Sequence, residues 1–464
     1  MPTFLRHVLR HTDRAFISKL FTLALPITLQ SILFSSKGMV DVFMIGQLSE
    51  ADVAAMGVAS RALFVMTILL AGISTGGAML VAQYLGAENR SGIRQSMALT
   101  TLCSLVFALL TCFSFVFFAP WVMQLASHDP AVIALGSEYL RLTGASLLFV
   151  ALIGAMGAGL RSIQLPAVST WFSALGIALN IWLNWLLIFG HWGLPQWGLK
   201  GAAIATLLSC IIEAVALYLY VYARRLGIGF YWQDCLQSLS WNKIKRFLLL
   251  ALPTTFNFFT WAAGLFTYTA IMGQASQAGL VALAVMTPIE AIALSLLVGI
   301  ANAAGALTGH ELGAKRYQQA YYQSIAFVAI GVLVTIIIAL CMYPLRQPIL
   351  ALFGALSDTS AQLAETFFII LSVGIVLRSL PTIFVVGVLR AGGDVKFCLY
   401  QDMLTQWAFG IPITALAAWY FGAVAPVIYG LFFIEAIFKW FACIYRFKSK
   451  RWMNHLVEEE HHSP

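Results

Sequence analysis

Charge is what this chain has least of. Asp, Glu, Lys and Arg together make up 10% of its 464 residues, against 61% hydrophobic, where a soluble domain carries about a quarter charged. That scarcity excludes an ordinary soluble protein and predicts an integral membrane protein. No stretch between the apolar runs is large enough for a separate soluble domain. The seven cysteines, at Cys103, Cys112, Cys210, Cys235, Cys341, Cys398 and Cys443, form no CxxC pair. Most lie in apolar runs and read as small packing residues. The eight histidines fall mostly in loops and termini without ligand spacing, so no metal site is expected. HExxH, a nucleophile elbow and a paired catalytic aspartate are all missing, which argues against an enzyme and against a cofactor. No small-residue cleavage site follows the basic MPTFLRHVLRHTDR, so the first apolar run is read as a retained helix rather than a signal peptide.

What is present is a long series of apolar runs, each near the roughly 20 residues that cross a bilayer. Twelve spans fit: 16–45, 52–80, 94–119, 131–158, 166–189, 201–223, 246–272, 279–307, 320–344, 360–388, 397–421 and 424–446. The formal charge of +8 invites a nucleic-acid partner, but topology explains it better. With Lys19, Arg94, Arg246 and Arg446 at the span edges counted with the adjoining ends, the termini and the loops after even-numbered spans hold 20 Lys and Arg, the loops after odd-numbered spans hold two (Lys200 and Arg346), and five lie inside spans. This asymmetry puts both termini in the cytoplasm. The longest connection, Arg224–Arg246, mixes basic residues with Tyr231, Trp232 and Trp241, as an interfacial segment would.

The sequence repeats itself at an offset of 227. Leu23-Ala24-Leu25-Pro26 returns as Leu250-Ala251-Leu252-Pro253, Gly46-Gln47 as Gly273-Gln274, and Ser49 as Ser276. Gly72-Ile73 returns as Gly299-Ile300, Leu85-Gly86-Ala87 as Leu312-Gly313-Ala314 and, with a slip of two, Leu160-Arg161 as Leu389-Arg390. Two parallel six-helix lobes around a central cleft are therefore expected, an all-α arrangement suited to a secondary transporter. The expected division is 1–223 for the first lobe, 224–245 for a cytoplasmic linker, 246–446 for the second lobe and 447–464 for a cytoplasmic tail. Nothing reads as a selectivity filter, which argues against a channel.

The repeat breaks at the chemistry, since Asp41 in the first span aligns with Tyr268. A carboxylate deep in a membrane helix costs about 2.5–3.5 kcal/mol on insertion scales and is functional by default. Pro26, in the same span, removes a helix hydrogen bond and predicts a kink or hinge. Asn180 and Asn184, four residues apart in LNIWLNWLLIFG, share a helix face about 6 Å apart along the axis. They read either as interhelical glue or, with Asp41 and Thr206, as oxygen donors around a proton or a Na⁺. Lys37 shares the face of Asp41. Paired with it, Lys37 would ease ionisation of the carboxyl; turned elsewhere, it would leave burial to oppose ionisation.

Several motifs together resemble the multidrug and toxic compound extrusion (MATE) transporters over nearly the whole chain. They are the LALPI helix start, MVDVFMIGQLSEADVAAMG, the AQYLGAEN loop and its echo TGHELGAKR, LNIWLNWLLIFG with GLKGAAIAT, and LRAGGD. The resemblance implies export of organic cations in exchange for H⁺ or Na⁺, by a monomer in a bacterial inner membrane, through two lobes of six helices. It places the coupling-ion site on Asp41, Asn180, Asn184 and Thr206 and the bending proline on Pro26. Some members carry acids in the seventh and tenth spans where this chain has Trp261 and Ser379, so a second-lobe acidic site of that type is not expected. Some have an acid in place of Asn184, and its loss leans the reading toward H⁺.

Other charges inside spans are Arg61, Arg141, Glu213, Glu290, Arg378, Asp402, Glu435 and Lys439. Glu435 and Lys439 are spaced as a structural pair. Glu290 is a candidate for touching a cationic substrate or, equally, for pairing with a nearby Arg. Phe34, Met39, Trp182, Phe256, Phe259 and Met286 are candidates for a surface that accepts flat lipophilic cations. Small-molecule lipophilic cations and membrane lipids are the expected partners, with no nucleic acid. The alternative is a flippase for a lipid-linked sugar or another amphipathic lipid, for which Lys37, Arg61, Arg141 and Arg378 would have to supply a cationic cavity.

Overall fold

A computed structural model describes residues 12–125, 127–351 and 358–457. The first basic residues, Arg6 and Arg10, and positions 458–464 of the expected tail lie outside the described residues. Among those described, the chain is helical throughout and free of strands. The membrane-length helices are α1 (Arg14–Ile45), α2 (Glu50–Gly86), α3 (Arg90–Gln124), α4 (Pro130–Ser162), α5 (Pro166–Phe189) and α6 (Gly198–Ala223). After a short helix at Trp232–Ser238 come α7 (Trp241–Ala275), α8 (Gln277–Gly313) and α9 (Tyr317–Ala351). The series ends with α10 (Asp358–Thr382, continued by Ile383–Leu389), α11 (Val395–Asp402, Met403–Gly410 and Ile411–Trp419) and α12 (Ala425–Leu431 and Ile434–Lys448).

Eleven of these pass as membrane spans by length and apolarity. The twelfth, α11, stays helical but is interrupted by a π-helical stretch, Met403–Gly410, with Met403 and Ile411 in ordinary helical conformation. A second π stretch, Ile383–Leu389, closes α10. Such stretches misalign the i→i+4 ladder and concentrate at functional sites.

The repeat is visible in the backbone as well as in the letters. Ser49 and Ser276 each cap the following helix, accepting from the amides of Asp52 and Gly279. The residues after α2 and α8 turn left-handed at matching positions, Glu88 (φ 57°) and Lys315 (φ 59°). So do those after α4 and α10, at Gln164 (φ 66°) and Gly393 (φ 75°). These turns account for the GAEN, GAKR and AGGD motifs, which end one helix and start the next within a few residues.

The chain forms two compact units, and their bounds fall inside helices. One contains residues 32–85 and 89–255; the other contains 1–31, 86–88 and 256–464. The proline-bearing helices α1 and α7 are thus each divided a few residues after their prolines, Pro26 and Pro253. The reason is steric. In the first unit Gly76 of α2 faces Ala251 of α7, whose Cα would lie 2.6 Å from any Cβ at position 76, and Gly72 likewise meets Thr255. In the second unit the repeat-matched Gly299 of α8 meets Ala24 and Thr28 of α1, the Ala24 carbonyl oxygen lying 2.6 Å from a Cβ at 299. Bare glycine backbones let the helices approach closely where lipid tails provide no hydrophobic drive to associate. Each repeat therefore takes in the opening half of the other repeat's first helix.

Around the Gly299 contact, Phe16, Leu20 and Leu23 of α1 join a core with Leu297, Ile300, Phe327, Ile383 and Val388. The other unit has its own core from Ile45, Phe115, Met123, Tyr139, Leu147 and Ile188. The connecting segment is pinned to α3 by Arg94–Asp234 at 3.2 Å and by Lys243 donating to Gln95 at 2.6 Å, with Trp232 and Trp241 exposed.

Enlarging either matched glycine should break its crossing. Gly72→Val or Gly299→Val is expected to destabilise the fold by about 1–3 kcal/mol, the usual cost of overpacking. Gly57→Ala, where a Cβ meets nothing within 4 Å, should not. Melting of the detergent-purified variants checks this.

Candidate functional site

The first-repeat unit gathers its polar side chains where α1, α5 and α6 face one another. Asn184 donates through Nδ2 to Asp41 Oδ1 at 2.7 Å. The same nitrogen lies 3.4 Å from Asn180 Oδ1, and Asn180 Nδ2 donates to Thr206 Oγ1 at 3.3 Å. All four residues singled out in the sequence are thus brought into one chain of contacts across three helices. Both amides are about 1% exposed. Their spacing of four on α5 puts one above the other, so α1 is engaged by Asn184 and α6 by Asn180. Lys37 makes no direct ion pair with Asp41; it acts on the carboxyl through space, from one turn earlier on α1. Tyr139, on α4, also lies within electrostatic reach of Asp41.

One atom in this chain is unfinished. Asn184 Oδ1 is buried and has no hydrogen-bond partner, although a buried acceptor left unpaired costs about 1–3 kcal/mol. It belongs to the amide that already holds Asp41. With Asp41 ionised, the amide offers its N–H and its carbonyl goes unused. With a proton on Asp41, the carboxyl becomes a donor, and a rotated amide has an acceptor ready for it. A monovalent cation beside Asp41 would find the same free oxygen.

In the second-repeat unit the position that matches Asp41 carries no carboxyl group. Tyr268, which replaces the aspartate, donates instead to Glu435 Oε2 at 3.2 Å. Lys439 bridges Glu435 at 3.2 Å and Asp402 at 3.0 Å. Asp402 also accepts from Asn257 Nδ2 at 2.8 Å, and Arg390 donates to Asn257 Oδ1. All of these groups are buried. Two cations and two carboxylates balance, and the expected Glu435–Lys439 pair is one edge of a larger network. Sequence spacing missed the rest, because Asn257 and Asp402 are far apart in the chain and meet only through packing of α7 on α11.

Glu290 pairs with Arg378, whose guanidinium also lies over the ring of Phe433 at 4.6 Å. Its charge is thus taken up inside the protein, the second of the two roles considered for it. Met286 is completely buried among Tyr268, Met272 and Phe367. It packs the core, a correction to the expectation that it lines a binding surface. Phe34, Met39 and Trp182 are exposed in their unit, as are Phe256 and Phe259 in theirs, the last two rings 6.3 Å apart and stacked. Pro26 sits inside an unbroken α1.

The sequence profile named MatE matches this chain twice, over residues 26–186 and 253–416. The chain belongs to the MatE family. MatE proteins are transporters, so this is a multi-pass membrane transporter. The two matched stretches start at Pro26 and Pro253, the prolines of the repeat. Among curated relatives, "Uncharacterized transporter YisQ" of Bacillus subtilis is 24% identical over 95% of this chain and 96% of its own. "Probable multidrug resistance protein NorM" of Thermotoga maritima is 24% identical over 91% of this chain and 92% of its own. Crystal structures of MATE described as the bent and the straight conformation each match with a TM-score of 0.83 at 17% identity, covering 93% of this chain and 96% of theirs. At that identity the likeness speaks for the MatE fold alone.

If the second-unit network is structural, removing its central cation should cost heavily. Lys439→Met leaves Asp402 and Glu435 without their shared partner and is expected to destabilise the protein by about 3–5 kcal/mol. Thermal unfolding in detergent measures it.

Proposed function

We propose that this chain is a cation-coupled multidrug antiporter that exports lipophilic organic cations by alternating access, with H⁺ the favoured coupling ion and Na⁺ the alternative. The observation that carries the reading is the Asp41–Asn184 pair with its unused amide oxygen. A coupling ion does work only through the difference in its affinity for two states. Here loading the ion changes both the charge of Asp41 and the hydrogen bonding of the amide that ties α1 to α5. Pro26, whose ring removes a backbone hydrogen bond within the same helix, gives α1 a place to respond.

The donor set leans toward the proton. Hard cations gather several oxygens, whereas one of the few oxygens near Asp41, that of Asn180, already lies near an Asn184 N–H, and Thr206 is engaged by Asn180. Phe34 and Met39, exposed on the same helix as Asp41, suit a surface for flat cations of loose shape demand. The names of the NorM relatives support drugs as cargo. A lipid flippase needs free cationic groups, and of the four named for it Arg378 is already neutralised by Glu290. The same reading places the protein in a bacterial inner membrane with both termini cytoplasmic, as a monomer.

The test is transport of a fluorescent organic cation in liposomes, driven separately by a pH gradient and by a Na⁺ gradient. The expected outcome is pH-driven transport in the wild type, falling in Asp41→Asn to the level of protein-free liposomes. Full pH- or Na⁺-driven transport by well-folded Asp41→Asn would rule the reading out. Dependence on Na⁺ alone would reassign the coupling ion.

A further inference from the structure

A second carboxyl lies buried in the same unit, two turns from the first site. Glu213 is seven residues beyond Thr206 on α6, and Ser173 is seven residues before Asn180 on α5, each about 10 Å along its helix. Ser173 donates its hydroxyl to Glu213 Oε1 at 3.0 Å, and both residues are buried. The other carboxylate oxygen, Oε2, rests against Gly176 so closely that any Cβ there would collide with it. Ser173, Gly176, Asn180 and Asn184 therefore form one continuous face of α5, in which the absent side chain of Gly176 makes the room that Glu213 occupies. A bare backbone opposite a buried acid, with a hydroxyl aimed at it, is a built seat for a carboxyl group.

The charges around this seat do not close. Of the helices meeting α6 here, α1 contributes Lys37, which acts on both Glu213 and Asp41. Ser173, from α5, is neutral. No charged group of α4 acts on Glu213 among the described residues. On α6 itself Cys210, one turn away, feels both Lys37 and Glu213. One lysine thus serves two carboxyl groups. With all three ionised the set carries one net negative charge inside the bundle, and a single proton neutralises it. The second-repeat network of Arg390, Asp402, Lys439 and Glu435, by contrast, is already balanced.

We propose that Glu213 is a second proton-binding group of this unit, seated by Ser173 and Gly176, which exchanges one proton with the Asp41 site past Lys37. The proton sits on either carboxyl, and Lys37 remains an ammonium that faces whichever partner is ionised. The Asn180–Thr206 contact lies between the Asp41–Asn184 contact and the Glu213 seat, so the two carboxyl groups form the ends of a path along α5 and α6. As a coupling step this rests on the antiport reading above; as a protonation site it does not.

The experiment uses full-length protein in detergent and counts protons bound as the pH is lowered from alkaline to mildly acidic, with the carboxyl infrared band recorded in parallel. Wild type is compared with Glu213→Gln. The expected result is one fewer proton taken up by Glu213→Gln, whose remaining Asp41 is balanced by Lys37, together with loss of a protonated-carboxyl signal that the wild type shows. Equal uptake and equal spectra would overturn the proposal. Gly176→Ala, which keeps the acid but fills its seat, is expected to displace the midpoint of that signal, and an unmoved midpoint would also count against it. In liposomes Glu213→Gln should slow pH-driven transport, and an unchanged rate would remove Glu213 from the coupling path. Asp41→Asn alone decides the antiport reading, so the two failures are told apart.

Discussion

An ionised side chain inside a bilayer must find its partners within the protein, and this constraint decides how the two repeats differ. Water is not there to solvate a stray charge, and leaving one bare costs several kcal/mol. The second repeat meets the demand by balance: Arg390 and Lys439 stand against Asp402 and Glu435, and Arg378 against Glu290. The first repeat meets it only in part, tying Asp41 to an uncharged amide and Glu213 to a hydroxyl. One set of charges balances; in the other a single cation, Lys37, stands near two carboxyl groups. On the antiport reading, the duplicated scaffold has one fixed and one responsive half.

The same constraint shapes the backbone. Helices in lipid associate through close packing rather than through expulsion of water. The small residues Gly72, Gly76, Gly176 and Gly299 mark the places where another helix, or a carboxyl group, comes nearest. Each acts by what it omits. The π stretches at Ile383–Leu389 and Met403–Gly410 are a different device in the second repeat, bordering Arg390 and Asp402, two members of its charge network.

Much of this was legible in the letters. The apolar runs marked the helices, and the 227-residue offset marked the repeat down to its capping serines. Asp41, Asn180, Asn184 and Thr206 stood out because polar groups are conspicuous on apolar helices, and the spacing of the two asparagines set them on one face. Glu213 was visible as a charge but not as a seated one, because its seat is partly made of Gly176, and a glycine in a helix has many readings. The partners of Asp402 and Glu290 lay out of view for another reason. Helix-face periodicity says which residues look outward from one helix and nothing about which helix answers, so Asn257–Asp402 and Arg378–Glu290 appear only once the helices are packed. Met286 was misplaced by the same blindness, its thioether as suited to a core as to a binding surface. The division of α1 and α7 between the two units was likewise unreadable, since both helices are continuous in sequence and in backbone.

That division bears on how the chain is made. The first repeat cannot complete its bundle from its own residues, because the groove at Gly72 and Gly76 is filled by the start of α7, which leaves the ribosome only after six helices have been inserted. Conversely, Phe16, Leu20 and Leu23 emerge well before α8, α9 and α10, which complete their core. The start of α1 therefore gains these packing partners only late in synthesis. Assembly is concluded by the last helices rather than accumulated lobe by lobe, so an interrupted chain leaves two open grooves instead of one finished half.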